Sequence, residues 1–257
     1  MEQTLIIGLA AFAASILAFF TGFGVGTLLL PVFALFFPVE IAVLLTAVIH
    51  LLNNLFKFAL IGSHVSMRVA LRFGIPAVAG AFIGAQALFL LSDTNAIGAY
   101  SFIGRNFELH PLKISVGLLI ILFELFDWLP PSKLSFKESS LIPGGFASGF
   151  FGGLSGHQGA LRSAFLVKLG LTKEAFIATG ASIAMFVDIV RVPVYFSEMP
   201  ERAFLHHYNI LIVAGLAALA GAVGGRFLLK KIAGPAMKKL VSVAVILLGG
   251  AIAMGIV

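Results

Sequence analysis

Two apolar segments of this chain are each interrupted by a glycine-rich run. The first run is 22–26 (GFGVG) and the second is 152–159 (GGLSGHQG). Because only proline is a poorer helix former than glycine, each run is expected to break a helix. A broken helix leaves backbone N–H and C=O groups unpaired, and lipid cannot satisfy them. The two breaks therefore predict half-helices that line a cavity near the middle of a bilayer.

The composition indicates a membrane protein with little chain outside the bilayer. Of the 257 residues, 60% are hydrophobic and only 11% are charged, whereas soluble domains carry about 25% charged residues. The net charge of +6 is assigned to basic loops that fix membrane orientation, and nucleic acid is not expected as a partner. The absence of cysteine excludes disulfides and thiolate metal sites, and no cofactor is expected.

Apolar stretches of about 20 residues, the length that spans a bilayer, predict an all-α, polytopic helical membrane protein. Five long spans are expected at 40–61, 71–91, 174–196, 203–229 and 239–257, and a shorter one at 111–127. The polar stretches 92–110 and 127–140 are expected to be short loops. The interrupted regions 3–37 and 141–170 are each expected to fold as a broken helical hairpin that returns to its own side.

The two halves of the chain align at an offset of 134 residues. The matches are Gly22 with Gly156, Glu40 with Glu174, Asn54 with Asp188, Lys57 with Arg191, and Arg68 with Arg202. The alignment predicts a first transmembrane repeat at 1–127, a cytoplasmic linker at 128–140 and a second repeat at 141–257. Each repeat is expected to contain one broken hairpin and three spanning helices.

The positions of lysine and arginine support the hairpin arrangement. If both interrupted regions return to their own side, one face carries 11 basic residues and the other 3; if each region is a single span, the split is 9 against 5. The positive-inside rule favours the more uneven split. An odd number of crossings then inverts the second repeat relative to the first and places both termini outside the cytoplasm.

A polar stripe at helical spacing runs along the first long span. Its members are Thr46, His50, Asn53, Asn54 and Lys57. Because burying an ionisable group in a membrane is expensive, this stripe is expected to face protein or water. Two interpretations stay open: the stripe lines a substrate path, with His50 and Asn54 as contacts, or it forms hydrogen bonds that pack helices together.

Asp188 and Arg191 lie one helical turn apart in span 174–196. One interpretation is a local ion pair. The other is a role in gating or in coupling to protons, shared with Lys57, the counterpart of Arg191 in the first repeat. His50 and Asp188 are the candidate groups for binding the coupled proton.

Arg162 is the strongest candidate for a ligand contact. It lies in the first turn after the second break, where a half-helix N-terminus offers free N–H donors and partial positive charge. Its guanidinium suits a carboxylate, sulfonate or phosphate; the alternative is an Arg162–Asp188 pair that serves folding. Further contacts are expected from the same break and from the first one, namely Ser155, His157, Gln158, Ser163, Gly24, Gly26 and Thr27.

These features resemble the TauE/SafE family of sulfite and organosulfonate exporters. The first half carries 22–31 (GFGVGTLLLP) followed by 38–42 (PVEIA), and the second half restates this pattern at 152–160 and 171–175. The resemblance covers nearly the whole chain and implies transport of small sulfur-containing anions such as sulfite and sulfoacetate. The second half departs from the pattern at Ser163 and Ala164, near the position where the counterpart of Pro31 is expected.

The function expected from these observations is secondary transport by alternating access at the midplane, with a small anion as substrate and export as the direction. An anion channel would share the cavity but would not saturate. An intramembrane serine hydrolase is the remaining alternative, because GLSG at 153–156 could supply Ser155 as a nucleophile with His50 as its base. An enzyme is not the expected outcome. The expected location is the bacterial inner membrane, in contact with lipid.

Overall fold

The computed structural model describes residues 2–21, 25–128, 136–199, 208–228 and 235–257. These residues form ten α-helices, which confirms the prediction of an all-α, polytopic helical fold. The helices are α1 (Glu2–Thr21), α2 (Val25–Ala34), α3 (Val39–Ile61), α4 (Met67–Ser92), α5 (Pro111–Trp128), α6 (Leu141–Ser155), α7 (Gly159–Leu166), α8 (Lys173–Glu198), α9 (Tyr208–Leu228) and α10 (Pro235–Ala253). Short 3₁₀ turns follow α3 at Gly62–His64 and precede α6 at Glu138–Ser140.

Three helical segments within the described residues are long and apolar enough to cross a membrane. They are Val39–His64, Met67–Ser92 and Lys173–Glu198, and they coincide with three of the five predicted long spans. The other two predicted long spans, 203–229 and 239–257, correspond to α9 and α10, whose apolar stretches are shorter: Tyr208–Gly221 and Lys239–Ala253. Residues 203–207 and 229 lie outside the described part of the chain.

The predicted loop at 92–110 contains a β-hairpin instead. Strands β1 (Gly98–Phe102) and β2 (Arg105–Leu109) pair antiparallel. Ile103 and Gly104 form the turn with positive φ angles of 49° and 72°, as two-residue hairpins require. The Tyr100 and Phe107 rings stack across the strands at 5.5 Å, a cross-strand contact that stabilises the pair. The predicted loop at 127–140 begins later than expected, because α5 continues to Trp128.

The α6–α7 segment reverses direction inside the protein. Gly144, near the beginning of α6, packs against the ring of Phe165, near the end of α7. Midway along the pair, the Ser148 hydroxyl donates to the Gln158 carbonyl oxygen at 3.2 Å. The chain therefore enters and leaves this pair of half-helices on one side, and the turn between them is buried.

Helix α6 lies directly against α4 because glycine forms the contact. A Cβ added at Gly145, Gly149 or Gly153 would clash with carbonyl oxygens of α4, in turn those of Phe73, Ala77 and Ala81. Both sets of residues advance in the same order, so the two helices run parallel. Small residues at this spacing let backbones approach closely in membrane proteins.

Helices α1 and α9 form a similar parallel pair. Gly8 packs on Val213, and Gly221 packs on the Phe12 carbonyl. Helix α2 then brings the chain back along α3, starting beside the middle of that helix at Gly26. Each half-helix pair thus packs against a long helix from the other half of the chain: α6 against α4, and α1 against α9.

Two sides of the molecule can be distinguished from these contacts. On the first, here called the linker side, Glu138 pairs with Arg68 and Arg72 at the beginning of α4. The Ser66 backbone N–H there donates to the Thr179 hydroxyl in α8. On the opposite side, here called the strand side, the Tyr100 hydroxyl of β1 donates to the Met254 carbonyl after α10. Between the two sides, α3 and α8 pack against each other and position the polar residues described next.

Candidate functional site

The second glycine-rich run forms a tight turn between α6 and α7. Gly156 ends α6 in the left-handed conformation with φ of +76°, which glycine adopts without strain. The first half of the chain meets this turn at Gly26. A methyl group at Gly26 would lie 3.5 Å from the His50 ring and 3.8 Å from the Gly156 carbonyl oxygen. The two break regions therefore approach each other beside the middle of α3.

A cavity of about 180 Å³ lies next to this meeting point. That volume corresponds to roughly six water molecules at about 30 Å³ each. Its polar lining comes from five helices: Thr27 of α2, Asn54 and Lys57 of α3, Asp127 of α5, Arg162 and Ser163 of α7, and Gly180 of α8. Asp127 and Phe176, which also lines it, belong to the last turn of α5 and the first turn of α8, so the cavity lies towards the linker side.

Arg162 is a cation of this cavity whose guanidinium is largely unpaired. Its Nε and Nη1 atoms are inaccessible to solvent and have no hydrogen-bond partner among the described residues. Its guanidinium passes beside Gly180, where an added Cβ would lie 3.6 Å from Nε. No ion pair joins Arg162 to Asp188 in the described part of the chain, because Asp188 pairs with other residues. The direct Arg162–Asp188 ion pair, considered as the alternative, is therefore not formed among the described residues.

Asp188 forms the centre of a buried charged cluster beneath the cavity. Its Oδ2 lies 2.7 Å from His50 Nδ1. Its Oδ1 accepts a hydrogen bond from Arg191 Nε at 2.9 Å and forms an ion pair with Arg191 Nη2 at 2.8 Å. Asp188 and Arg191 are fully buried, so the local ion pair expected from their spacing is present. A buried carboxylate needs this number of partners to offset its loss of hydration.

Asn54 connects this cluster to the cavity. It lines the cavity, and its amide nitrogen lies 3.1 Å from His50 Nδ1, 3.3 Å from His50 Nε2 and 3.5 Å from Asp188 Oδ2. The same nitrogen donates to the His50 carbonyl oxygen at 2.9 Å. His50 is therefore held between the cavity-lining amide of its own helix and the carboxylate of α8.

Arg191 and Tyr195 fasten α8 to the end of α6. Arg191 Nη1 donates to the Gly152 carbonyl oxygen at 2.6 Å, and the Tyr195 hydroxyl donates to the Gly153 carbonyl oxygen. The Gly152 carbonyl oxygen also accepts the Gly156 N–H that caps α6, at 2.9 Å, and a cation at the end of a helix complements the helix dipole. These bonds lie on the strand side of Asp188, because α8 runs from the linker side towards the strand side.

The residues of the buried turn between α6 and α7 occupy a different part of the site. His157 Nδ1 bonds the Ser155 carbonyl oxygen at 2.9 Å, and the His157 ring stacks on Phe123. The Ser155 hydroxyl donates to the Phe151 carbonyl oxygen at 3.0 Å. His157 Nε2 and the Gln158 amide are buried without a hydrogen-bond partner in the described residues. Neither residue is among those that line the cavity.

The structure brings together most of the residues that the sequence singled out. Arg162, Ser163, Thr27, Asn54 and Lys57 line one cavity, and His50, Asp188 and Arg191 form the cluster below it. Ser155, His157 and Gln158 belong to the buried turn beside that cluster. Gly24 lies outside the described residues. Arg191 is fully buried and donates to the Gly152 carbonyl oxygen.

Three participants were not anticipated: Asp127 and Gly180, which line the cavity, and Tyr195. Asp127 was assigned to a loop because it precedes a Pro-rich stretch. The signal for Tyr195 was its position one helical turn after Arg191, where it would share the same helix face. In the described part of the chain, no group of three or more histidine or acidic residues could hold a metal ion.

Comparison with known families gives one result. The family described as Sulfite exporter TauE/SafE matches residues 7–252, which is nearly the entire chain. No curated protein and no solved structure gives a significant match.

Proposed function

The chain belongs to the TauE/SafE sulfite exporter family and is thus an integral membrane protein of the anion-exporter type rather than a member of an enzyme family; we propose that it is a secondary carrier that exports small sulfur-containing anions. Sulfite, sulfoacetate and related organosulfonates are the substrates that the family description and the site chemistry favour together. The proposed location is the bacterial inner membrane, with the linker side facing the cytoplasm.

The unpaired guanidinium of Arg162 carries this proposal. A partly buried guanidinium with two unpaired, solvent-inaccessible nitrogen atoms is costly, so its presence beside a cavity points to an anion that pairs with it. A planar guanidinium donates two parallel hydrogen bonds to the oxygens of a sulfonate or sulfite. The cavity lining has two cations, Lys57 and Arg162, and one acid, Asp127. Its net charge is therefore positive by one.

Neutral donors complete the proposed anion site. The hydroxyls of Thr27 and Ser163 and the amide of Asn54 share the cavity with Arg162. Both half-helices that begin at the breaks, α2 and α7, contribute residues of their first turns, where backbone N–H groups are unpaired. We propose Gly24, Gly26, His157, Gln158 and Ser155 as the surrounding shell that shapes this end of the site.

Alternating access is the mechanism that fits this arrangement. The cavity lies towards the linker side, and the bonds from Arg191 and Tyr195 join α8 to the end of α6 on its strand side. We propose that these bonds are the strand-side gate and that Lys57, the repeat counterpart of Arg191, serves the linker-side gate. Helix α1 packs on α9 and α6 packs on α4, so that equivalent helices of the two halves make equivalent contacts with the other half. This reciprocal packing supports two inverted repeats at 1–127 and 141–257. A gate on the strand side favours a carrier over an open channel.

The geometry around Ser155 does not favour hydrolysis. In the described part of the chain, the Ser155 hydroxyl bonds a backbone carbonyl, and His157 bonds the Ser155 carbonyl rather than its hydroxyl. His50, the other proposed base, is engaged by Asp188. A nucleophilic serine needs a base within hydrogen-bond reach of its hydroxyl.

Transport by the reconstituted protein tests the proposal. Liposomes containing the full chain are expected to show saturable uptake and counterflow of radiolabelled sulfite or sulfoacetate. Arg162→Ala should abolish this uptake. Arg68→Ala, which removes a cation that is 74% exposed at the linker-side surface, is the matched control and should retain it. Uptake no greater than in empty liposomes for sulfite, sulfonates and carboxylates alike would refute the proposal, and flux without saturation would indicate a channel.

A further inference from the structure

The His50–Asp188 contact includes a histidine nitrogen that can bind a proton, a property that anion binding alone does not require. Asp188 is held as a carboxylate by Arg191, so His50 Nδ1 must carry the hydrogen of the 2.7 Å bond. The neutral ring then has one acceptor left, Nε2, and the nearest donor to it is the Asn54 amide nitrogen at 3.3 Å. Nε2 is therefore the atom at which this cluster can take up a proton.

This position is connected to the cavity. The His50 side chain is 11% exposed, and Asn54, which touches it, lines the cavity wall. Protonation converts Nε2 from a hydrogen-bond acceptor into a donor. This donor then faces the Asn54 amide nitrogen, which is also a donor. The Asn54 side chain must then rotate, so protonation of His50 changes the wall of the anion cavity itself.

The charges around His50 link its protonation to the anion. Burial is the largest effect and opposes a charged ring; Asp188 favours the protonated ring, whereas Arg191 on α8 and Arg162 on α7 repel it. Helix α2 and residues 209–224 of α9 carry no ionisable side chain, and His157 is the remaining titratable group of the adjoining turn. Of these charged residues, Arg162 is the one that lines the cavity. An anion bound there removes one of the two repulsions, and a protonated His50 in turn attracts the anion.

We infer that His50 binds a proton cooperatively with the anion, so that one proton crosses the membrane with each substrate molecule. This inference rests on the proposed anion site at Arg162. Coupling of this kind is reciprocal, because the anion increases proton affinity by the factor by which the proton increases anion affinity. A singly charged sulfonate would move without net charge, and its outward gradient would carry protons out.

Calorimetry on the detergent-purified full chain tests the inference with sulfoacetate as the probe. The titration is run at pH 7 in bis-Tris and in Tris, two cationic buffers that do not compete for an anion site and that differ in ionisation enthalpy. The sulfoacetate carboxyl titrates near pH 4, as carboxyls do, and adds nothing at pH 7. The expected result is uptake of up to about one proton per anion and a Kd that weakens up to about tenfold per pH unit above neutrality.

Variants assign the proton to its residue. His50→Gln retains a side-chain amide that can donate to Asp188, so it should bind sulfoacetate with the same Kd at pH 7 and pH 8 and show no buffer-dependent heat. His64→Gln removes an exposed histidine that bonds only Ser63 in the described residues and should behave like the wild type.

Equal heats in the two buffers for the wild type would overturn the proton coupling while leaving the anion carrier intact, and this result does not depend on any variant folding. Proton uptake that persists in His50→Gln would also overturn it. Failure of the wild type to bind sulfoacetate at either pH would refute both this inference and sulfoacetate as a substrate.

Discussion

The imidazole of His50 lies 2.7 Å from the carboxylate of Asp188, although the two residues are 138 positions apart in the chain. This contact joins α3 to α8 in the interior, and Arg191 neutralises the second carboxylate oxygen. Neither helix could bury its polar residue alone, since an unpaired charge in the interior costs several kcal/mol. The contact therefore fixes how the two halves of the protein meet beside the cavity.

Asp188→Asn is expected to destabilise the protein strongly. The substitution leaves Arg191 buried without its counterion, and breaking a buried pair in this way costs about 3–5 kcal/mol. The loss of stability is measured in detergent, both by thermal melting and by titration with SDS. Asp93→Asn changes an exposed carboxyl at the end of α4 and should shift neither curve. Equal stability of the two variants would contradict a structural role for the Asp188 cluster.

Arg162 and Arg191 are expected to respond in opposite directions to the same substitution. Arg162→Gln removes a guanidinium whose Nε and Nη1 are unpaired, so the ligand-free protein should gain about 1 kcal/mol. Arg191→Gln removes bonds to Asp188 and to the Gly152 carbonyl, so the ligand-free protein should lose stability. Thermal melting without anion measures both changes.

The same Arg162→Gln variant should bind sulfite or sulfoacetate about 10- to 100-fold more weakly, since a hydrogen bond to a charged group contributes about 1.5–3 kcal/mol. Melting curves at increasing anion concentration measure this loss. A lower melting temperature for ligand-free Arg162→Gln would show that Arg162 has a structural partner. In that case the free guanidinium would no longer argue for an anion.

Local patterns predicted the helices and the polar stripe, because both depend on spacing within one segment. In α3, His50, Asn53 and Asn54 are buried while Leu52 and Leu55 are exposed, as the 3.6-residue period predicts. Side-chain spacing also predicted the pair of Asp188 with Arg191.

Contacts between distant segments could not be predicted in this way. The bond from Arg191 to the Gly152 carbonyl and the contact of His50 with Asp188 depend on how α3, α6 and α8 pack. The β-hairpin was missed for a related reason: Ile103, a β-branched residue, occupies a turn position with positive φ, where such residues are rare. No turn signal other than Gly104 marked it.

The α4–α6 contact should be sensitive to a single methyl group. Gly149→Ala places Cβ against the carbonyl of Ala77, and neither backbone can move without disturbing the helix on which it lies. Overpacking of this kind costs about 1–3 kcal/mol. Gly250→Ala is the matched control in α10, where an added Cβ meets nothing within 4 Å; this variant should be neutral or slightly stabilised, since alanine is the better helix former. Equal melting temperatures for both variants would show that α4 and α6 are less closely packed.

The orientation in the membrane can be measured directly because the chain has no cysteine. Ala96→Cys and Ser139→Cys introduce single exposed thiols beside the β-hairpin and before α6, on the strand side and the linker side respectively. The excess of basic residues on the linker side predicts that it faces the cytoplasm. A membrane-impermeant maleimide should therefore label Ala96→Cys in intact cells, and Ser139→Cys only after permeabilisation. The reverse pattern would turn the cavity outward, so that the described conformation would take up its anion from outside the cell. Labelling of both thiols in intact cells would contradict the single topology on which the alternating-access proposal depends.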